Sequence, residues 1–594
     1  MSMKVTINDK VYQAKPGQTI LSVATENNIY IPRLCYLKGI NNEGDCRVCV
    51  VEVDGQSRLK NSCKTEVYDG MSVKTKSPNV KSSVKKTLEL LAGNHSFECW
   101  SCSREHNCEF LRLLRKNNIS DPLSDDPTFI KKPRVTLDSS LSLVLDSGKC
   151  LLCKRCVSAC RHYTGLDILS INQRGSNSIV ESIDPLSIEN SGCVYCGKCL
   201  QACPTGALVE KDAIIKVQEA IDDPKKHVII QSAPAVRVAL AEEFGYKIGT
   251  DARMVEGKMY RAFKELGFDD IGDVNWSADL TIIEEGYEFI GRLKKFLNGE
   301  KTTLPMFTSC SPGWIRFIEG YQAEWLDNLS SAKSPHLMQG AMSKQYYGPK
   351  NNIKPDDIYV VSVMPCLAKK FEIERPEMQS HGYRDVDAVL TTRELARMIR
   401  YNDIDFRDLE EFRPEGQLAQ FTGAGAIFGA TGGVMEAALR TVVEVLEERE
   451  LEKIDFEVVR GIEEIKEATL NIAGIDVNVA VVHGISAIKK FFNILKSEEK
   501  QYHFVEFMGC VGGCVNGGGQ PIVLPEVIEN CDIRVERANA IYKQDKELKI
   551  RKSHENKAVM VTYDEFLGEP NSHRAHEMLH THYHHREFLK MEDK

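Results

Sequence analysis

The spacing of apolar residues changes several times along the chain. Near the start, Val5-Thr6-Ile7 and Lys10-Val11-Tyr12 flank the polar pair Asn8-Asp9, which predicts two short strands joined by a hairpin. Ile20 to Asn28 reads as a short helix, so residues 1–80 form a small β-rich unit. Lys81 to Leu91 predicts a basic amphipathic helix. Beyond residue 211 the pattern is different. Apolar runs such as His227-Val228-Ile229-Ile230 and Ile358-Tyr359-Val360-Val361-Ser362-Val363 alternate with the helical stretches Ala235–Phe244, Arg393–Tyr401 and Val434–Arg449. That alternation predicts an α/β domain with largely parallel sheets. Gly423 to Gly429 is glycine-rich but lacks the dinucleotide fingerprint, and predicts close backbone packing. No run of 18 apolar residues occurs, so no membrane span is expected.

At 594 residues the chain is long enough for three or more domains, each with its own core. Its 42% hydrophobic and 27% charged content is ordinary for a soluble protein, and a net charge of -9 argues against nucleic-acid binding. The N-terminal residues show neither an apolar signal region nor a twin arginine, which places the expected location in the cytoplasm. In that compartment closely spaced cysteines read as metal ligands rather than disulfides.

Fifteen of the twenty cysteines lie within the first 203 residues. Cys35-x10-Cys46-x2-Cys49-x13-Cys63 keeps the C-x2-C core of plant-type [2Fe-2S] ferredoxins with a longer first gap. His95-x3-Cys99-x2-Cys102-x5-Cys108 offers one histidine and three cysteines, which suits zinc or a [4Fe-4S] cluster; its place between iron–sulfur modules favours the cluster. Cys150-x2-Cys153-x2-Cys156-x3-Cys160 and Cys193-x2-Cys196-x2-Cys199-x3-Cys203-Pro204 repeat the bacterial two-cluster pattern. In that pattern the fourth cysteine of each run crosses over. Cys150, Cys153, Cys156 and Cys203 then form one set, and Cys193, Cys196, Cys199 and Cys160 the other.

The later cysteines are sparse. Cys310 lies in Thr308-Ser309-Cys310-Ser311-Pro312-Gly313-Trp314, and Cys366 in Met364-Pro365-Cys366-Leu367-Ala368-Lys369-Lys370. Cys510 and Cys514 lie in Met508-Gly509-Cys510-Val511-Gly512-Gly513-Cys514-Val515-Asn516-Gly517-Gly518-Gly519. Cys531 stands alone and reads as a buried apolar residue; His580 to His585 reads as a solvated tail. The three segments resemble the signature motifs of the [FeFe]-hydrogenases, and the front modules resemble the accessory set of the larger clostridial-type enzymes.

The resemblance implies a multidomain α+β and α/β architecture. Its parts are a β-grasp [2Fe-2S] ferredoxin-like domain at 1–79, a [4Fe-4S] segment at 80–127, a two-cluster ferredoxin domain at 139–210 and an α/β H-cluster domain at 211–594. The implied H-cluster is a [4Fe-4S] cubane joined through a thiolate to a two-iron subsite carrying CO, cyanide and an azadithiolate. Cys366, Cys510 and Cys514 would ligate the cubane, and Cys514 would bridge to the subsite. Lys369 would bond one cyanide, Pro234 would offer backbone contacts to the other, and Met364, Met508 and Phe428 would line the subsite. Where the family often has serine, this chain has Ala235. Cys310, Glu285, Ser330, Glu288 and Arg292 match the family's proton relay; by spacing alone, Glu285 and Glu288 read as a solvated acidic helix face.

One position departs from the family. Ser311 replaces the second cysteine of the first motif, which usually ligates the cubane. Three outcomes stay open: alkoxide ligation by Ser311, ligation by Cys310, or an open iron. The implied reaction is reversible reduction of protons to H2, with ferredoxin as electron carrier and maturation proteins supplying the subsite. The alternatives are a hydrogenase subunit working with NAD(P)-oxidising partners, an electron-transfer protein resembling the large iron–sulfur subunit of respiratory complex I, and an H2 sensor of low activity. The chain carries no flavin or NAD fingerprint of its own.

Overall fold

The computed structural model describes residues 2–119, 136–137, 140–184 and 187–588. The end of the 80–127 segment, and residue 139 of the next, lie outside them. Strands β1 (Met3–Ile7) and β2 (Lys10–Ala14) pair antiparallel with Ile7 opposite Lys10. The two intervening residues, Asn8 and Asp9, have φ of 49° and 68°. That left-handed pair makes the tight hairpin turn for which Asn and Asp are suited. Helix α1 (Ile20–Glu26) starts where the Thr19 side chain accepts from the Ser22 amide, and buries Ile20, Leu21, Val23 and Ala24. Strands β3 (Val50–Val53), β4 (Lys60–Asn61) and β5 (Ser72–Lys74) complete a five-stranded sheet ordered β2-β1-β5-β3-β4. Helix α2 (Pro78–Gly93) buries Val80, Val84, Leu88 and Ala92, a four-residue stripe, against Phe110, Leu113 and Leu114 of α3 (Glu109–Lys116).

Strands β6 (Thr136–Leu137) and β7 (Leu143–Asp146) lead into the first cysteine repeat, followed by α4 (Arg155–Thr164). A hairpin of β8 (Leu169–Asn172) and β9 (Ile179–Ser182) comes next, then the second repeat, α5 (Lys198–Ala202) and β10 (Leu208–Glu210). The repeat is conformational as well as chemical. Leu152 and Lys154 in the first cysteine loop, and Tyr195 and Gly197 at the same places in the second, all have φ between 53° and 71°.

Beyond α6 (Ile214–Asp222) the domain is built on two sheets. Strands β11 (His227–Ser232), β12 (Asp270–Asp273), β14 (Ile358–Met364) and β17 (Ala388–Thr391) form an all-parallel sheet ordered β12-β11-β14-β17. Strands β13 (Met306–Phe307), β20 (Phe504–Met508), β19 (Ile475–His483) and β18 (Ile465–Ile472) form the second, where only β18 and β19 run antiparallel. A two-stranded ribbon of β15 (Gln379–Ser380) and β16 (Tyr383–Arg384) lies apart. Between β12 and β13 runs the 24-residue helix α8 (Val274–Leu297), preceded by α7 (Ala252–Glu265).

Helices at Thr392–Tyr401 and Gly433–Glu447 match the sequence reading. The stretch Ala235–Phe244 does not. It is a series of turns ending in a 3-10 helix over Leu240–Phe244. Residues Gln231 to Ala241 are buried at every position, so no helical stripe exists to be read. The buried Arg237 guanidinium holds the turns in place through Glu256 and Asp273, at 2.8–2.9 Å from the latter. The glycine-rich run is packed as expected. A Cβ on Gly423 would lie 2.0 Å from Asp545 Oδ1, and one on Gly425 2.3 Å from the Asn275 carbonyl oxygen. Among the described residues no helix is long and apolar enough to cross a membrane.

Candidate active site and its electron path

The signature segments follow the C-terminal ends of parallel strands. Pro234 follows β11, Cys310 and Ser311 follow β13, Cys366 follows β14, and Cys510 follows β20. This is where open parallel sheets leave a crevice for a bound group. Cys310 and Cys514 pack with Ala235, Phe428, Met508 and Val515 in one apolar cluster; Met364 belongs to the neighbouring core around the first sheet. The Cys366, Cys510 and Cys514 thiols lie close enough to perturb one another, and burial pushes all three up, Cys514 to about 12. Such thiols await a cation that would draw off their protons, so the donor set fits a thiolate-bound cluster.

Lys369, in the short helix Ala368–Glu372, donates to the Cys310 carbonyl at 3.1 Å and to Glu372 Oε2 at 2.8 Å. Glu372 Oε2 also lies 2.6 Å from His336 Nε2 and accepts from the Ser334 hydroxyl at 3.0 Å. Burial pushes the Glu372 carboxyl up, but Lys369 and His336 outweigh it and hold it at about 2. Ser311 precedes α9 (Pro312–Tyr321), yet its hydroxyl makes no capping bond. It accepts instead from the Gly509 amide at 3.0 Å, one residue before Cys510.

On α8, Glu285 is buried, not solvated. Neither of its oxygens makes a hydrogen bond of ordinary geometry. Burial and the charge of Glu288 push its carboxyl up to about 8, against a smaller opposing pull from the Ser309 amide and Ser330 hydroxyl. Burial also raises the Cys310 thiol, and Glu285 is the largest charged contributor. The path then continues by contact. The Ser330 hydroxyl donates to Glu288 Oε2 at 2.8 Å, and Arg292 donates to Glu288 Oε1 at 2.7 Å and to the Leu329 carbonyl at 2.8 Å. Cys310 and Arg292 are both half-exposed, with Glu285, Ser330 and Glu288 among the groups between them.

The accessory cysteines are grouped as their spacing suggests. Cys49 Sγ and Cys63 Sγ are 3.4 Å apart, and the Cys35 amide donates to Cys46 Sγ at 3.4 Å. A hydrogen bond from the Cys46 thiol pulls Cys35 down to about 6 against burial. Cys150, Cys153, Cys156 and Cys203 line one apolar cavity; Cys160, Cys193, Cys196 and Cys199 line a second. His95 is neutral, since burial pushes it down to about 4, and its Nδ1 has no partner. Among the described residues only Glu444, His554 and Glu555 bring three ligand atoms within 4.8 Å of one another.

Two readings of the later residues are corrected. Cys531 is half-exposed rather than buried, at the start of a surface helix. The histidine-rich segment is not a free tail. His580 is buried, with Nε2 at 2.9 Å from Glu284 Oε2 and Nδ1 at 2.8 Å from the Ser331 hydroxyl; only His582, His584 and His585 are exposed. Sequence reasoning also missed the residues that hold the third motif. Gln520 donates to the Ala235 carbonyl at 2.7 Å, and Arg393 donates to the Gly518 and Gln520 carbonyls at 2.8 and 2.5 Å. Lys198 donates to the Asn516 carbonyl at 2.7 Å. The run Gly517-Gly518-Gly519 was the available signal, since three adjacent glycines permit close backbone approach.

Comparison with known proteins agrees with this geometry. Residues 226–518 match the family model "Iron only hydrogenase large subunit, C-terminal domain", and 531–586 match "Iron hydrogenase small subunit". Residues 1–78 match a 2Fe-2S iron-sulfur cluster binding domain, and 149–207 a 4Fe-4S dicluster domain. Iron hydrogenase 1 of Clostridium pasteurianum is 44% identical over 581 residues, covering 98% of this chain and 99% of that protein. The NADP-reducing hydrogenase subunit HndD of Solidesulfovibrio fructosivorans is 42% identical over 99% of this chain and 100% of its own length. The structure of the apo [FeFe]-hydrogenase HydA1 from Chlamydomonas reinhardtii superposes with a TM-score of 0.56 at 36% identity, over 63% of this chain and 99% of that one. With two relatives matched end to end, signature cysteines at the strand ends and iron–sulfur domains in front, the chain belongs to the iron-only, or [FeFe], hydrogenases.

Proposed function

We propose that this hydrogenase reduces protons to H2 reversibly at an H-cluster, taking its electrons from ferredoxin through one [2Fe-2S] and three accessory [4Fe-4S] clusters. One observation supports the reading: Cys310 lies near both Glu285 and Cys514, while Gly518 of the third motif packs on the Cys196 loop. When bound, the H-cluster supplies the iron chemistry at which two protons and two electrons become H2. The chain's residues do the rest. Cys366, Cys510 and Cys514 hold the cubane, and Lys369 presents its ammonium to an anionic ligand of the subsite. Cys310, Glu285, Ser330 and Glu288 pass protons between sulfur and oxygen atoms, and Arg292 holds the Glu288 carboxylate at the outer end. The Cys310 thiol lies near Glu285, which supports the relay role for Cys310, and near Cys514; Ser311 accepts from the Gly509 amide beside Cys510, which is consistent with the ligand position.

The four domains proposed are 1–79, 80–127, 139–210 and 211–594, with the cluster ligands assigned as their spacing implies. A cytoplasmic location, and maturation proteins that deliver the subsite, complete the reading. Infrared spectroscopy of matured protein, paired with an H2-evolution assay driven by reduced ferredoxin, tests it. Bands from CO and cyanide with ferredoxin-driven H2 are expected; neither appearing would sink it. The likeness to an NADP-reducing hydrogenase subunit over nearly the whole chain favours a second reading, in which partner subunits deliver electrons from NAD(P)H. H2 evolution from NADPH only after such subunits co-purify would select it.

A further inference from the structure

The second ferredoxin-like loop and the third motif meet backbone to backbone. A Cβ on Gly518 would lie 2.5 Å from the Cys196 carbonyl oxygen and 2.7 Å from Gly197 Cα. Lys198 is the next residue, and it is buried. Its ammonium donates to the Asn516 carbonyl at 2.7 Å and to Gln201 Oε1 at 2.8 Å, and lies 5.5 Å from the centre of the Tyr163 ring. None of these partners is an anion. Other buried lysines are treated differently. Lys333, Lys344, Lys369, Lys370 and Lys552 each hold a carboxylate within 3.0 Å. Lys466, which has no such ion pair, still faces Glu506 and Glu463. Among the described residues Lys198 has no carboxylate within ion-pair distance, and the sulfurs of Cys510 and Cys196 lie close to it. The nearby Arg534 and Arg537 are already paired, with Asp532 and Glu242 at 2.6 Å each.

A buried cation without a counter-ion is costly, so its partner must be sought in what the cysteines hold. Cys196 belongs to the second accessory set and Cys510 to the cubane set. A thiolate-bound iron–sulfur cluster carries net negative charge, and that charge grows by one on reduction. A cation between two such clusters stabilises the reduced form of each. We propose that the Lys198 ammonium is the shared counter-charge of the Cys160/Cys193/Cys196/Cys199 cluster and the cubane of Cys366, Cys510 and Cys514, raising the reduction potential of both. This rests on the ligand assignment proposed above. Lys198 is a positioning residue for charge; no bond or proton changes hands there.

The test is an anaerobic redox titration of holoenzyme, followed by electron paramagnetic resonance, for Lys198→Met, Lys198→Gln and Lys198→Arg. Iron and sulfide content are measured alongside. In both neutral variants, iron content should match the unaltered protein. At a fixed solution potential, the reduced-to-oxidised ratio of the two flanking clusters should fall about tenfold, which for one electron is 59 mV. The Cys150/Cys153/Cys156/Cys203 cluster should move much less, and Lys198→Arg should stay near the unaltered protein. Unmoved midpoints in fully loaded Lys198→Met and Lys198→Gln overturn the inference alone. So does iron loss in both, which would make the lysine an assembly residue, and so does an equal shift in every cluster. If the unaltered protein shows no such clusters, the ligand assignment fails and this inference falls with it.

Discussion

Glu285 keeps a proton at neutral pH because burial and the Glu288 charge outweigh the Ser309 amide and Ser330 hydroxyl; its carboxyl sits at about 8 instead of 4.5. A folded-state pKa above the unfolded one favours the protonated form, so the stability it contributes is complete below about 4.5 and is lost as pH rises through about 8. Glu285→Gln removes that dependence. Its melting temperature should gain on the unaltered protein between pH 5 and pH 8, and a constant gap would refute the assignment. The same variant should lower H2 evolution by about 10²–10⁴-fold, the usual worth of a positioned proton carrier, with iron content unchanged. Ser311→Cys places a softer sulfur where this chain offers a hydroxyl. Its Mössbauer spectrum and H2 rate should both change; identical spectra and rates would show that position 311 does not touch the cluster. At this scale the sequence named candidate residues without their settings. Glu285 and Glu288 lie three apart on one helix, and only tertiary packing buries the first while leaving the second half-exposed.

Elements were legible where burial is one-sided or the apolar run is short and continuous, as in α2 and β14. One totally buried stretch was misread, although the largely buried helices Thr392–Tyr401 and Gly433–Glu447 were not. The turns after Pro234 are packed on every side and held by Arg237, so their apolar residues imitate a helix. The cysteine loops show the opposite case, since spacing alone implied that Cys160 and Cys203 cross between sets and the two cavities are lined accordingly. The contact between Gly197 and Gly518 gives a sharp test. Gly518→Ala forces a methyl against backbone that cannot yield cheaply, and should cost about 1–3 kcal/mol in thermal unfolding. Gly416→Ala, with nothing within 4 Å of the added carbon, should be nearly neutral. Equal effects would mean that the two loops part more readily than their packing indicates.

Across the whole molecule, arginines tie the front modules to the rest. Arg155 joins Glu109 at 2.7 Å and the Tyr36 carbonyl at 3.0 Å; Arg33 reaches Glu529 at 2.6 Å, and Arg112 reaches Glu526 at 2.8 Å. The Arg33 pair is buried on both sides, so Arg33→Ala strands a carboxylate and should destabilise the docked front by about 3 kcal/mol. Calorimetry should then resolve an early transition; a single unshifted peak would contradict it. None of these ties was readable, because each joins residues far apart in sequence. The same holds for His580, whose partner Glu284 lies 296 residues earlier. That separation has a consequence for how the protein is made. Chains emerge from the ribosome front end first, and domains fold as they appear. The cysteine modules can therefore take up iron while translation continues. The contacts of Glu284 and Ser331 with His580 cannot form until the segment carrying His580 has left the ribosome, so the front modules can be complete before the domain built on the two sheets.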